Sequence, residues 1–177
     1  MNKKAEAHEL RAAQGQYLTF SLNDETFGLN ILCVKEIVEY KQLTSVPQMP
    51  RFIEGVINLR GHVVPVINLA LRLGKTPLPP QKRTCVVIVE IGHEGNTADI
   101  GVVVDSVSEV LDVSAADIEA APGFGTCMRP EFIAGMARLG SAFIILVDVE
   151  KVLSITEMAA LAMTAGALNG YVDGSVD

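Results

Sequence analysis

The chain has 177 residues, 49% of them hydrophobic, which is enough to bury a sizeable core and too apolar for a disordered polypeptide. Its 21 acidic against 14 basic residues leave a net charge of −7, which repels nucleic acid and anionic membrane, and no basic cluster of five or more offsets it. The N-terminus lacks the apolar core of a secretory signal, and the longest uncharged run, Met158 to Val172, is too short and too rich in alanine and glycine to span a bilayer; the reading is a cytoplasmic protein without membrane insertion.

Residues 1–15 are polar and alanine-rich and read as a flexible arm. From Tyr17, the residues Leu18, Phe20 and Leu22 alternate with Tyr17, Thr19 and Ser21. After the turn at Asn23, Asp24 and Glu25 the alternation resumes with Phe27, Leu29 and Ile31, which predicts a hairpin with one buried and one wet face. The segment I-L-C-V-K-E-I-V-E-Y fits a short helical turn running into a strand, with an apolar spacing that suits either state.

Next comes G-V-I-N-L-R-G-H-V-V-P-V-I-N-L at 55–69, two β-branched runs meeting at Arg60 and Gly61. A guanidinium between two apolar strands is either a structural ion pair or part of a partner surface. Pro65 inside the second run predicts an edge strand or a strand end. Leu69 to Leu73 add a helical turn, and the proline-rich connector Gly74 to Lys82 is the expected lobe boundary.

Strands follow at Val86 to Val89, Ile100 to Val104 and Val107 to Val113. A further hairpin spans Ala134 to Leu139 and Ala142 to Val147, with Gly140 and Ser141 at its turn. Ser154 and Glu157 have capping-box spacing before Met158, Leu161, Ala162, Ala165 and Leu168, which predicts a C-terminal amphipathic helix. Short strands at regular spacing give a mostly β protein built as barrels or a sandwich.

Chemistry is sparse. His8, His62 and His93 share no metal-ligand spacing, and P-G-F-G at 122–125 lacks the lysine and helix of a phosphate loop. Cys33, Cys85 and Cys127 are odd in number and widely spaced, as reduced core thiols are; no metal or cofactor is expected. Candidate contact surface is better represented. Val34 and Glu36 sit in V-K-E-I, read either as a half-buried edge or as a partner site. Phe124 stands between Gly123 and Gly125, where it either plugs a neighbouring core or anchors a partner.

The segments V-K-E-I at 34–37, F-I-E-G-V-I-N-L-R-G at 52–61, V-P-V-I-N-L at 64–69, G-V-V-V-D-S-V at 101–107 and I-L-V-D-V-E-K-V-L at 145–153 together resemble the CheW-like coupling proteins of bacterial chemotaxis. The resemblance covers roughly residues 16–163 as one domain of two lobes, between the arm 1–15 and a tail 164–177. It implies two small five-stranded β-barrels around a shared apolar core. It also implies a non-enzymatic adaptor joining the cytoplasmic tips of chemoreceptors to the regulatory domain of the histidine kinase CheA, at receptor arrays on the inner membrane.

By that resemblance Val34, Glu36 and Arg60 face the receptor, with Val86 and Val110 adding apolar surface, while Gly55 and the loop carrying Phe124 belong to assembly with the kinase. Asn68 stands where an aspartate is common in the family, which leaves the Arg60 corner one negative charge short. The competing readings are a small β-scaffold enzyme and a β module that binds a small molecule.

Overall fold

The computed structural model describes residues 12–41, 43–93, 95–120 and 128–154. Strands β1 (Gly15–Leu22) and β2 (Glu25–Asn30) form the first hairpin, turned by Asn23 and Asp24 at φ of 52° and 67°. These are residue types whose short polar side chains tolerate the left-handed region. A single 3-10 turn, Ile31–Cys33, leads into β3 (Val34–Glu39), so the ambiguous segment contains both elements in succession.

The hairpin does not have a wet face. Leu18, Phe20, Leu22, Phe27 and Leu29 enter a large central cluster, while Tyr17 packs on the opposite side with Val113, Ile118, Ala137, Ile144 and Leu146. Thr19 is buried too, at 2% exposure. The cause is a register slip against β8 (Ser106–Val113), where Leu18 pairs with Val110 but Phe20 pairs with Val107. The slip leaves the Glu109 backbone without a strand partner. The Thr19 hydroxyl fills the gap, donating to the Glu109 carbonyl at 2.9 Å and accepting from its N–H at 3.2 Å. Replacing Thr19 with the near-isosteric valine removes both bonds, and urea denaturation should show a loss of about 1–2 kcal/mol.

The remaining strands are β4 (Ile53–Leu59), β5 (His62–Asn68), β6 (Cys85–His93), β7 (Asn96–Val104), the two-residue β9 (Ile118–Glu119), β10 (Ile133–Leu139) and β11 (Ala142–Val147). They make a six-stranded sheet in the order β8-β1-β2-β11-β10-β9 and a five-stranded sheet in the order β3-β6-β7-β5-β4. The five-stranded sheet is built from consecutive strands, inserted between β2 and β8 of the other sheet. The chain leaves the β1–β2 hairpin and adds β3 to the other sheet beside β6, and it leaves the β6–β7 hairpin and returns β8 to the first sheet beside β1.

Each sheet carries the same unit, a hairpin followed by one capped helical turn. Asn68 accepts from the Leu71 N–H at 3.0 Å to start α1 (Leu69–Arg72), and Asp148 accepts from the Lys151 N–H at 3.2 Å to start α2 (Val149–Val152). In each unit the second strand runs parallel to a hairpin strand of the same sheet, β5 with β7 and β11 with β2.

Three expectations need correction. The connector Gly74 to Lys82 is not a lobe boundary, because it joins α1 to β6 on the same side; the chain changes sheet at the 3-10 turn Ile31–Cys33 and at Asp105. Pro65 lies in an inner strand, tolerated because parallel pairing with β7 begins only at Val66. Closed five-stranded barrels are not formed, since the described hydrogen bonds leave β3 and β4, and likewise β8 and β9, as sheet edges.

A third cluster, of Val64, Val66, Val86, Ile88 and Val103, fills the curl of the five-stranded sheet. That sheet is therefore apolar on both faces, one toward this cluster and one toward the central core. Cys33 and Cys85 are half-buried free thiols, and burial pushes the Cys33 thiol up to about 11. No described helix is long and apolar enough to cross a membrane. Cys127, Phe124 and the C-terminal helix expected from Met158 onward lie outside the described residues.

Candidate functional site

The β4–β5 hairpin turns through Arg60 and Gly61, both at positive φ (52° and 85°), between the closing pair Leu59 and His62. Such two-residue turns match the twist of the flanking strands, and the Asn58 side chain locks this one by accepting the Gly61 N–H at 3.0 Å. The backbone thus lifts the Arg60 side chain clear of the sheet, 73% exposed yet not free. Its Nη1 meets Glu36 Oε2 at 2.6 Å and its Nη2 meets Oε1 at 3.0 Å, a two-pronged pair that fixes direction as well as distance.

Glu36 is aimed by a bulge in β3. Val34 pairs with Val89 but Glu36 pairs with Ile88, so Lys35 is the extra residue and Glu36 moves to the Val86 and Ile88 side of the sheet. Its carboxyl is held below the ordinary carboxylate range by the Arg60 hydrogen bonds, which outweigh the opposing effect of desolvation. Lys35 reaches Asp99 at 3.0 Å.

Glu36 and Arg60 belong to the two edges of one sheet. Among the described residues one backbone bridge crosses the seam between those edges, where Thr44, in the segment after β3, and Val56 of β4 exchange N–H to carbonyl bonds at 2.9 and 3.1 Å. The ion pair spans the same seam as a side-chain clasp. Gly55 lies beside that bridge at φ 152°, buried, and a Cβ there would stand 2.3 Å from the Thr44 carbonyl oxygen. Its lack of a side chain is what lets the seam close.

Of the residues singled out from sequence, Glu36 and Arg60 are brought together, and Val34 stands two positions before Glu36, half-buried against the central core. Val110 is 45% exposed on β8, in the other sheet. Val86 is different. At 1% exposure it is core, the cross-strand neighbour of Val38 of β3, so it offers no apolar surface.

Asn68 is not part of the Arg60 corner either. It caps α1 and donates to Glu54 Oε2 at 2.6 Å, while Glu54 Oε1 accepts from the Tyr40 hydroxyl at 2.8 Å; burial and that carboxylate push the Tyr40 phenol up to about 12. Sequence reading passed over Leu32, which is 89% exposed on the 3-10 turn before β3. The signal was Asn30, whose side chain accepts the Leu32 N–H at 2.9 Å and starts that turn. Among the described residues no group of three metal-ligating side chains comes together.

A CheW-like domain model matches residues 16–157. The chain is 40% identical to the chemotaxis protein CheW of Klebsiella aerogenes over 144 residues, 81% of this chain and 84% of that protein. It is 32% identical to the chemotaxis protein CheW of Treponema pallidum over 151 residues, 84% and 88% of the two lengths. The crystal structure of the scaffolding protein TtCheW from Thermoanaerobacter tengcongensis matches with a TM-score of 0.71 at 35% identity, covering 78% of this chain and 92% of that one. With the family model spanning both sheets and the seam, the chain belongs to the CheW family.

Proposed function

We propose that the protein is a non-enzymatic chemotaxis adaptor that couples the cytoplasmic tips of chemoreceptors to the regulatory domain of the histidine kinase CheA. It works in the cytoplasm at receptor arrays on the inner membrane. In this reading residues 16–163 act as one domain of two lobes sharing the central core, with 1–15 as an arm and 164–177 as a tail. The receptor contacts Val34, Glu36, Arg60 and Val110, while Val86 is buried beside Val38 and makes no contact of its own. The kinase domain contacts the region around Gly55 and the loop carrying Phe124.

The observation that carries the receptor assignment is the Glu36–Arg60 clasp. A hairpin tip with both turn residues at positive φ holds an exposed guanidinium in one direction against a carboxylate on the neighbouring edge strand. Such a group costs little further ordering when a partner binds.

The test is reconstitution of receptor, CheA and this protein, with kinase phosphorylation as readout. Arg60→Glu places two carboxylates at the corner and should weaken receptor coupling about tenfold with little change in urea stability. Adding Glu36→Arg should restore part of the loss, the non-additivity expected of a contacting pair. Unchanged coupling in Arg60→Glu would remove the corner from the receptor surface, and a large stability loss would make the clasp a purely structural ion pair.

A further inference from the structure

Between β5 and β7 the five-stranded sheet is unzipped at one end. The two strands run parallel and pair only through Val66, Ile67 and Asn68 with Gly101, Val102 and Val103. Pro65 has no N–H with which to continue the ladder.

The hairpin registers fix what the separated ends present. Leu59 and His62 close one turn, and Val56 gives both backbone groups to Thr44, so by alternation Val63 turns its N–H and carbonyl away from β4. His93 and Asn96 close the other turn, and the same alternation turns the backbone groups of Thr97 and Asp99 away from β6. Val63 and the pair Thr97 and Asp99 therefore face each other across an opening of about 730 Å³.

The floor of this opening is aliphatic, made by Ile53, Ile67 and Ile100 on the central-core side, with Val64 lining it from the other face of the sheet. Its charged rim is Lys35, Asp99 and Glu90. Lys35 is held by Asp99 at 3.0 Å, which leaves the exposed Glu90 as the surplus negative charge.

We propose that this opening is a docking site for an extended segment of a partner protein, which enters as a strand between β5 and β7. It lays a branched aliphatic side chain on the floor and sets a basic side chain beside Glu90. Backbone chemistry selects the occupant. A helix spends its backbone groups internally, and an apolar small molecule leaves those of Val63, Thr97 and Asp99 unpaired, whereas an extended chain bonds them. The site uses neither Glu36 nor Arg60, so it stands apart from the receptor assignment.

The test uses the isotopically labelled full chain and the blocked peptide acetyl-KVIVT-amide, alongside the same peptide N-methylated at alternate nitrogens. In the free protein the amides of Val63, Thr97 and Asp99 should exchange with deuterium at least about tenfold faster than those of Ile67 and Val103. Saturating peptide should slow them by about the same factor, and the N-methylated peptide should bind about tenfold more weakly. Glu90→Lys should weaken the unmodified peptide about threefold.

Amides already protected in the free protein, equal binding of the methylated peptide, or no shift of the three amides at millimolar peptide each overturn the proposal. Protection that rises with protein concentration alone overturns it as well, by making a second copy the occupant.

Discussion

The Gly55→Val protein is expected to unfold in urea with about 3 kcal/mol or more less stability than the parent. Two causes act together at this position. The φ of 152° is one that side chains rarely adopt, and the added Cβ would meet the Thr44 carbonyl, oxygen at 2.3 Å and carbon at 3.0 Å. Both obstructing atoms are backbone, so relief requires breaking the Thr44–Val56 bridge that holds the seam.

Gly101→Ala is the matched comparison, because its Cβ would stand 2.8 Å from Val86 Cγ1, a side-chain methyl that can rotate, with an expected loss of about 1 kcal/mol. If the two losses are equal, the seam is not the reason glycine stands at position 55. A Gly55 variant that fails to assemble with the kinase therefore reports an opened seam unless its denaturation curve is unchanged.

The second large effect is expected at Arg72, a buried cation at the end of α1. Its Nε donates to the Val152 carbonyl of α2 at 2.7 Å, and its guanidinium carbon lies 5.2 Å from the Phe52 ring centre and 4.9 Å from that of Phe132. Arg129 approaches Phe132 as well, at 4.5 Å. Arg72 ties the helical turn of one sheet to that of the other. Arg72→Ala leaves a buried carbonyl without that donor, the Phe52 ring without its cation and Phe132 with Arg129 alone, and a loss of about 3 kcal/mol in chemical denaturation is expected. Arg72→Lys should recover less than half, since an ammonium cannot stack between two rings while donating sideways. A loss below about 1 kcal/mol for the alanine protein would show that the stacking contributes little.

Nothing in L-A-L-R-L-G marks Arg72 as a brace, and the reason applies to much of what sequence reading missed. Strands are local: β-branched runs at 63–67, 86–89 and 100–104 and the left-handed turn residues Asn23, Asp24 and Gly61 announce themselves. The partners of those strands are not local. Tyr17 and Thr19 look wet until β8, some ninety residues on, covers and bonds them.

Val86, a surface residue by the family resemblance, lies in V-V-I-V, a continuous apolar run that marks a strand buried on both faces. The Glu36–Arg60 clasp was legible because family pattern and opposite charge agreed on it, whereas the seam it spans is a property of sheet curvature, which no short window of sequence encodes.

The inserted sheet bears on how the chain can be made. The first hairpin receives β8 only after residue 113 has been synthesised, and β2 receives its parallel neighbour β11 only after residue 147. The five-stranded sheet has all of its strands once residue 104 has been made, whereas the six-stranded sheet waits for β8 to β11 from beyond it. The first hairpin therefore meets its remaining partner strands only after the whole five-stranded sheet has been translated. Over that interval the apolar edges of the hairpin are uncovered, and completing the six-stranded sheet closes loops of about ninety and more residues.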